Sequence, residues 1–249
     1  MVRVTLLANA GVLVEYQGTT LLLDSIYGLE AHYFSDLKPG VWEQMLRGGS
    51  PFGHIDYLLF THDHPDHFSP EMTMEFLRTR VVKGVFLPDS PILRESGLEA
   101  FLTQRKIPFA YLPQAGSCSV KPGITIRGIS TRHLDKKFQD VQHLCYLLTF
   151  GEKHLLFTAD VDYTQERFES IGDLPLRAVF VNPLFFSALR HERFFGGALD
   201  TQLTCVYHVP FAGDDPMNMR PLLTRDLAEW PPEKGEALVL DEAFRTIEL

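Results

Sequence analysis

Tyr57-Leu58-Leu59-Phe60-Thr61-His62-Asp63-His64-Pro65-Asp66-His67 sets an apolar, β-like run directly against a cluster of metal-ligating side chains. Three of the chain's ten histidines fall within the span His62–His67. Residues two apart at a strand end project the same way, so His62 and His64 can aim imidazole nitrogens at one cation. Pro65 ends the strand, because it has no N–H to give a ladder. Asp66 and His67 then lie on the following turn, where they can approach a second cation, the arrangement that two-metal hydrolytic sites require. Imidazoles crowded this closely repel one another when protonated, which argues against a merely solvated cluster.

Outward from this motif the chain is a succession of short β-like runs bounded by Gly, Asp or Pro: Val2 to Leu7, Val12 to Tyr16, Thr19 to Leu23, Tyr57 to Phe60, Val85 to Leu87, Ile124 to Ile129, Leu144 to Phe150, His154 to Phe157, Ala178 to Val181 and Thr204 to Tyr207. Gln17-Gly18 and Gly151-Glu152-Lys153 are short enough to join antiparallel neighbours. Ser69-Pro70 and Ser90-Pro91 each supply a capping hydroxyl followed by a first-turn proline. The second of these predicts a helix running to Gln104, and further helices are expected over Thr164 to Ser170, Pro183 to Phe195 and Arg220 to Glu229. Strands alternating with helices, with hairpins mixed in, predict an α/β fold: two mixed β-sheets packed face to face with helices on the outer faces. The expected organisation is a single domain over residues 1–249. Residues 27–56 separate two strand runs and carry Tyr27, Tyr33, Phe34, Trp42 and Phe52 amid Gly and Pro. A structureless loop of that length is unusual in a compact domain, so a helix is expected around Pro39 to Arg47, inside an insertion that is either a lid over a pocket or a packed surface segment.

Composition narrows the function. Of 249 residues, 45% are hydrophobic and 22% charged, as in ordinary globular proteins, and Lys+Arg 23 against Asp+Glu 32 gives a net charge of −9. That sign opposes phosphate backbones and anionic lipid, so neither nucleic acid nor a membrane surface is expected as a partner. Cys118, Cys145 and Cys205 lack the paired spacing of a thiolate metal site or a redox dithiol. They read as small core residues in a reducing compartment, and with no basic leader and no apolar run of membrane-spanning length the expected address is the cytoplasm.

Four further stretches follow the motif in order. Thr19-Thr20-Leu21-Leu22-Leu23-Asp24 is a strand ending in an aspartate, and Ile124 to Ile129 leads through Ser130-Thr131-Arg132 to His133. His154-Leu155-Leu156-Phe157-Thr158-Ala159-Asp160 is a second strand ending in an aspartate, and Thr204-Cys205-Val206-Tyr207-His208 a strand ending in a histidine. Together with His-x-His-x-Asp-His, these resemble the metallo-β-lactamase fold superfamily, nearest its lactonase and phosphodiesterase-like branch. The resemblance implies two divalent cations, zinc first, with manganese or iron also compatible with nitrogen and oxygen donors. It places His62, His64 and His133 on one cation and Asp66, His67 and His208 on the other, with Asp160 bridging and Asp24 orienting ligands from behind. His143 competes with His133 for the lone-histidine role, and Asp162 with Asp160. A hydroxide shared by the cations would attack a carbonyl or phosphoryl centre, with Asp66 managing a proton.

The expected activity is therefore hydrolysis of a small-molecule ester, lactone or phosphodiester. The alternatives are a metal-binding sensor or scaffold without turnover and an iron-dependent redox enzyme. Arg132 and Lys136, with Arg190, His191 and Arg193, are candidate anion-binding side chains, while Phe185, Phe186, Phe194 and Phe195 read as core. Asp214 and Asp215 either support the last ligand or belong to a turn. The sequence departs from the family twice: Ala159 stands where glycine is usual, and Asn9, in Ala8-Asn9-Ala10-Gly11, stands where the branch has histidine. The oligomeric state is not legible in the sequence.

Overall fold

The computed structural model describes residues 1–28, 34–112, 116–164, 168–191 and 199–249. They run β1 (Val2–Ala8), β2 (Gly11–Tyr16), β3 (Thr19–Leu23), α1 (Val41–Arg47), β4 (Tyr57–Leu59), α2 (Pro70–Thr79), β5 (Gly84–Leu87), α3 (Pro91–Glu95), α4 (Leu98–Gln104) and β6 (Phe109–Tyr111). Then follow β7 (Ser117–Lys121), β8 (Ile124–Thr131), β9 (His143–Phe150), β10 (Lys153–Phe157), β11 (Ala178–Val181), α5 (Pro183–Arg190), β12 (Leu203–Val206), α6 (Met219–Ala228), β13 (Glu236–Val239) and β14 (Thr246–Glu248). The chain divides into two compact units, residues 1–111 with 242–248, and residues 112–241 with Leu249.

The first unit holds one seven-stranded sheet in the order β14-β1-β2-β3-β4-β5-β6. Its pairs are antiparallel from β14 to β3 and parallel from β3 to β6. The Gln17-Gly18 link is a two-residue hairpin with φ of 46° and 73°, the left-handed pair that a tight hairpin needs to match strand twist. β3, β4 and β5 are buried along their whole length, as parallel strands covered on both faces are. Ser69 caps α2 by accepting the Met72 N–H at 3.2 Å, and Pro70 fills the first turn, as expected. The helix expected near Pro39 is α1, while residues 29–33 of the expected lid lie outside the described residues. One expectation needs correction: the helix predicted from Pro91 to Gln104 is two helices, because Gly97 adopts φ +78° and breaks the run.

The second unit holds another seven-stranded sheet, β13-β12-β11-β10-β9-β8-β7. Here β7 to β10 pair antiparallel and β10 to β13 parallel. The two sheets thus share a plan, each switching from antiparallel to parallel at one strand, β3 or β10, and each of those strands leads into one of the aspartates singled out above. Helix α5 is capped by Asn182 and ends at Arg190; residues 192–195 of the predicted run lie outside the described residues, Arg193, Phe194 and Phe195 with them. Phe185 and Phe186 are fully buried, with Phe185 stacked on Tyr163 and Phe186 on Trp230, so both are core. Residues 165–167 of the helix expected at Thr164 to Ser170 are outside the described set, and the described residues of that stretch, Thr164 and Phe168 to Ser170, are not helical.

All ten strands read from the sequence are present. Among the described residues, the four that patterning missed, β6, β7, β13 and β14, are the four sheet edges. An edge strand is half solvated and needs no continuous apolar run, so it leaves little trace in the sequence.

Candidate metal centre

In the first unit, β3 and β4 run side by side in parallel and release Asp24 and the Thr61–His67 turn at their C-terminal ends. Open sheets with parallel strands bind ligands at that edge. Asp24 is completely buried and adopts φ +48°, a left-handed turn that Asp tolerates better than most residues. Gly11 leaves room for it, since a Cβ there would sit 2.9 Å from the Asp24 carbonyl oxygen. The Asp24 carboxylate accepts from the Thr61 N–H at 2.8 Å and from the Thr61 hydroxyl at 2.6 Å. It also lies 2.9 Å from His67 Nδ1.

These bonds fix ring orientations. A carboxylate can only accept, so His67 Nδ1 carries the proton and Nε2 holds the lone pair. The Thr61 hydroxyl, having given its proton to Asp24, accepts from His62 Nδ1 at 3.0 Å, which puts the lone pair of that ring on Nε2 as well. One aspartate therefore sets two imidazoles, one directly and one through a threonine. The rings crowd as the spacing predicts, with centroids 4.6 Å apart for His62 and His64 and 4.1 Å for His62 and His67. Asp66 lies alongside, its Oδ2 at 3.4 Å from His67 Nε2.

In the second unit, Asp160 follows β10, His133 follows β8 and His208 follows β12. The Asp160 carboxylate reaches both histidines: Oδ2 lies 3.5 Å from His133 Nε2 and Oδ1 lies 3.3 Å from His208 Nε2. Backbone bonds from Leu134 to Asp160 (2.7 Å) and from Asp162 to Arg132 (2.7 Å) tie the two segments together. The Asp135 N–H donates to His133 Nδ1 at 3.0 Å, so in the neutral ring the proton sits on Nε2, the opposite tautomer from His62 and His67. Asp162, the competitor of Asp160, instead accepts from the Thr164 N–H at 3.0 Å and closes a turn.

The turn that presents Asp160 is strained and heavily braced. Ala159 adopts φ +44°, where a Cβ is unfavourable and the usual glycine would be at ease. Its N–H donates to the Tyr207 hydroxyl at 2.8 Å, and its carbonyl accepts from the Asn182 side-chain amide at 3.0 Å. The next N–H, that of Asp160, donates to His143 Nε2 at 3.1 Å. His143 is thus the buried imidazole behind the bridging candidate. Its Nδ1 lies 2.6 Å from the Thr131 hydroxyl, to which it donates. Sequence reading missed Tyr207 and Asn182, and weighed His143 only as a rival to His133. Four residues after strand ends near these groups, Asn9, Asp24, Ala159 and His208, have positive φ without being glycine, a concentration of backbone strain expected where function fixes geometry.

Of the anion-binding candidates, Arg132 and Lys136 are exposed and flank His133 in sequence. Arg190 belongs elsewhere: its guanidinium lies 3.1 Å from the buried Asp226 and forms an ion pair with Glu229, joining α5 to α6. Two carboxylates already neutralise it, which corrects its expected role. His191 is exposed at the end of α5. Asp215 accepts from the Met219 and Arg220 N–H groups at 2.9 and 2.8 Å and opens α6, while Asp214 is exposed.

A family model described as Beta-lactamase superfamily domain matches residues 20–185. The metallo-β-lactamase fold protein YhfI of Bacillus subtilis superposes with a TM-score of 0.67 at 14% identity, covering 100% of each chain. CmlA, a diiron β-hydroxylase from Streptomyces venezuelae, gives a TM-score of 0.66 at 19% identity, covering 100% of this chain and 54% of that one. A Mycolicibacterium smegmatis protein, provisionally named a Rieske 2Fe-2S iron-sulfur protein, is 32% identical over 90 residues, 36% of this chain and 16% of that protein. The chain thus spans about half of CmlA and a small part of the Mycolicibacterium protein. The likenesses to solved structures establish the fold expected from the sequence, two mixed sheets with helices.

Proposed function

The chain belongs to the metallo-β-lactamase fold superfamily, and from that premise we propose that it is a metal-dependent hydrolase of a small-molecule ester, lactone or phosphodiester, working with two divalent cations. In this reading His62, His64, His133 and Asp160 form one donor set and Asp66, His67, Asp160 and His208 the other. The observation that carries it is the Asp24–Thr61 relay, which turns the Nε2 lone pairs of both His62 and His67 away from the hydrogen bonds that orient them. Buried imidazoles held in that tautomer suit a borderline cation such as zinc, and manganese or iron(II) would also accept these nitrogen and oxygen donors.

When bound, the cations would act as Lewis acids that acidify water and polarise the bond it attacks. The remaining work falls to the chain. Asp24 holds His67, and Thr61 holds His62. Tyr207, Asn182 and His143 hold the backbone on which Asp160 is presented, and Asp66 is placed to take or return a proton. Coordination through His133 Nε2 would require the ring proton to move to Nδ1, at the expense of the bond from the Asp135 N–H. Arg132 and Lys136 supply positive charge for a carboxylate or phosphate on the substrate.

A second reading, iron-dependent oxidation, draws on the fold shared with CmlA. Elemental analysis of the purified protein together with a screen over ester, lactone and phosphodiester substrates decides between them. Hydrolysis that stops with chelator and returns with zinc or manganese supports the proposal. Iron alone, with visible absorption and no hydrolysis, supports the second reading, and bound metal without any turnover points to a sensor.

A further inference from the structure

Asn9, where the related branch carries histidine, has no role in the donor sets. It follows β1, is fully buried and adopts φ +49°. Asn enters that left-handed region several-fold more readily than most residues. Its side-chain amide donates to the Asp66 carbonyl oxygen at 2.9 Å and to Asp66 Oδ2 at 3.2 Å. Both partners are acceptors, so the orientation of the amide follows from its chemistry. Asn9 Oδ1 is buried and has no hydrogen-bond partner among the described residues. A buried carbonyl left unpaired is destabilising, so the residue is not explained by its acceptor end and must be explained by its donor end.

What that donor end grips is specific. The backbone of the turn is already fixed by bonds from His67 and Phe68 to the His64 carbonyl, at 3.0 and 2.9 Å, and from Gly28 to the Pro65 carbonyl, at 2.8 Å. The freedom that remains at Asp66 is rotation of its carboxylate. One amide bonded to both ends of Asp66 removes it, and a side chain that fixes a ligand's rotamer tunes affinity much as the ligand itself does.

We propose that Asn9 is a positioning residue for Asp66: its amide locks the carboxylate in the rotamer needed to hold the cation of the Asp66–His67–His208 set. The inference rests on the two-cation reading above and assigns Asn9 to one of the two sites only.

The test is a cobalt(II) titration of the chelator-stripped full chain, followed by calorimetry and visible absorption, for wild type, Asn9→Gly and Asn9→Asp. Both substitutions tolerate the left-handed backbone and remove the donor. The wild type should take up two equivalents. Each variant should keep the affinity of one equivalent and lose about 10- to 100-fold at the other, with Asn9→Asp at least as weak because it sets carboxylate against carboxylate. Two equivalents bound as in wild type by both variants would overturn the assignment, as would equal weakening of both sites together with a lower melting temperature, the mark of a merely structural role. A wild-type chain that takes up fewer than two equivalents would instead overturn the two-cation reading, and the role of Asn9 with it.

Discussion

Replacing Ala159 by glycine should leave stability nearly unchanged, although the side chain is fully buried. At an ordinary buried position this change has two costs. Removing a buried methyl loses about 0.8 kcal/mol of burial, and glycine's extra freedom in the unfolded chain loses about 0.4–1 kcal/mol more. Ala178, equally buried at the start of β11, is such a position. Ala159→Gly carries the same two costs but also releases a Cβ from φ +44°, a conformation that costs an L-residue about 1–2 kcal/mol. The two variants should therefore differ by about 1–2 kcal/mol. In thermal unfolding monitored by circular dichroism this appears as a gap of roughly 2–8 °C for a chain of this size. Tyr207→Phe should act the opposite way on the same turn. It strands the Ala159 N–H in the core and should cost about 1–3 kcal/mol. If Ala159→Gly falls as far as Ala178→Gly, the turn is not strained and the bracing assigned to Tyr207, Asn182 and His143 is misread.

Asp24→Asn removes the one group that accepts from Thr61 and His67 at once, and should weaken zinc binding by about 10- to 100-fold in a chelator competition; unchanged affinity would refute the relay. Asp56 lies beneath Lys83, whose amino group is 2.7 Å from it, and accepts from the Thr20 N–H at 3.0 Å. Burial by itself would raise this carboxyl, but those bonds and the neighbouring His54 hold it below its ordinary value. A lowered folded-state pKa gives stability that is complete above the unfolded value, near about 3.9, and is lost as pH falls through the folded value. Lys83→Met should accordingly flatten the acid limb by lowering the neutral part of the stability profile, while stability below the folded value changes little. Cys145 and Cys205 are buried, and burial pushes the Cys205 thiol well up, so a thiol reagent should modify Cys118 alone in the native protein; rapid labelling of three thiols would contradict this.

The parts of the fold that the sequence made legible are those where burial is complete. Strands such as β3 and Ala178–Val181 are buried at every position because both faces are covered, Ala178–Val181 is apolar throughout and β3 over Leu21–Leu23, and their boundaries emerge unaltered. The sheet edges escaped because Ser117–Lys121 alternates between exposed and half-buried and Thr246–Glu248 is mostly exposed, so neither carries an apolar run. The break at Gly97 escaped because a single glycine in a helical pattern costs only about 1 kcal/mol and does not by itself announce a turn. Among the candidate site residues, the histidines and aspartates were legible because they are metal-ligating types and their spacing follows strand ends. Tyr207, Asn182 and His143 were not, because each acts on a main-chain group of a turn whose shape appears only in three dimensions. Arg190 misled because its carboxylate partners, on α6 and just past its end, lie far along the chain.

Anomalous diffraction from zinc-loaded crystals tests the central claim most directly. The account predicts two peaks, one ligated by His62, His64 and His133 and the other by Asp66, His67 and His208, with Asp160 touching both. A lone peak, peaks served by only one of the two strand-end clusters, or none at full loading would contradict it.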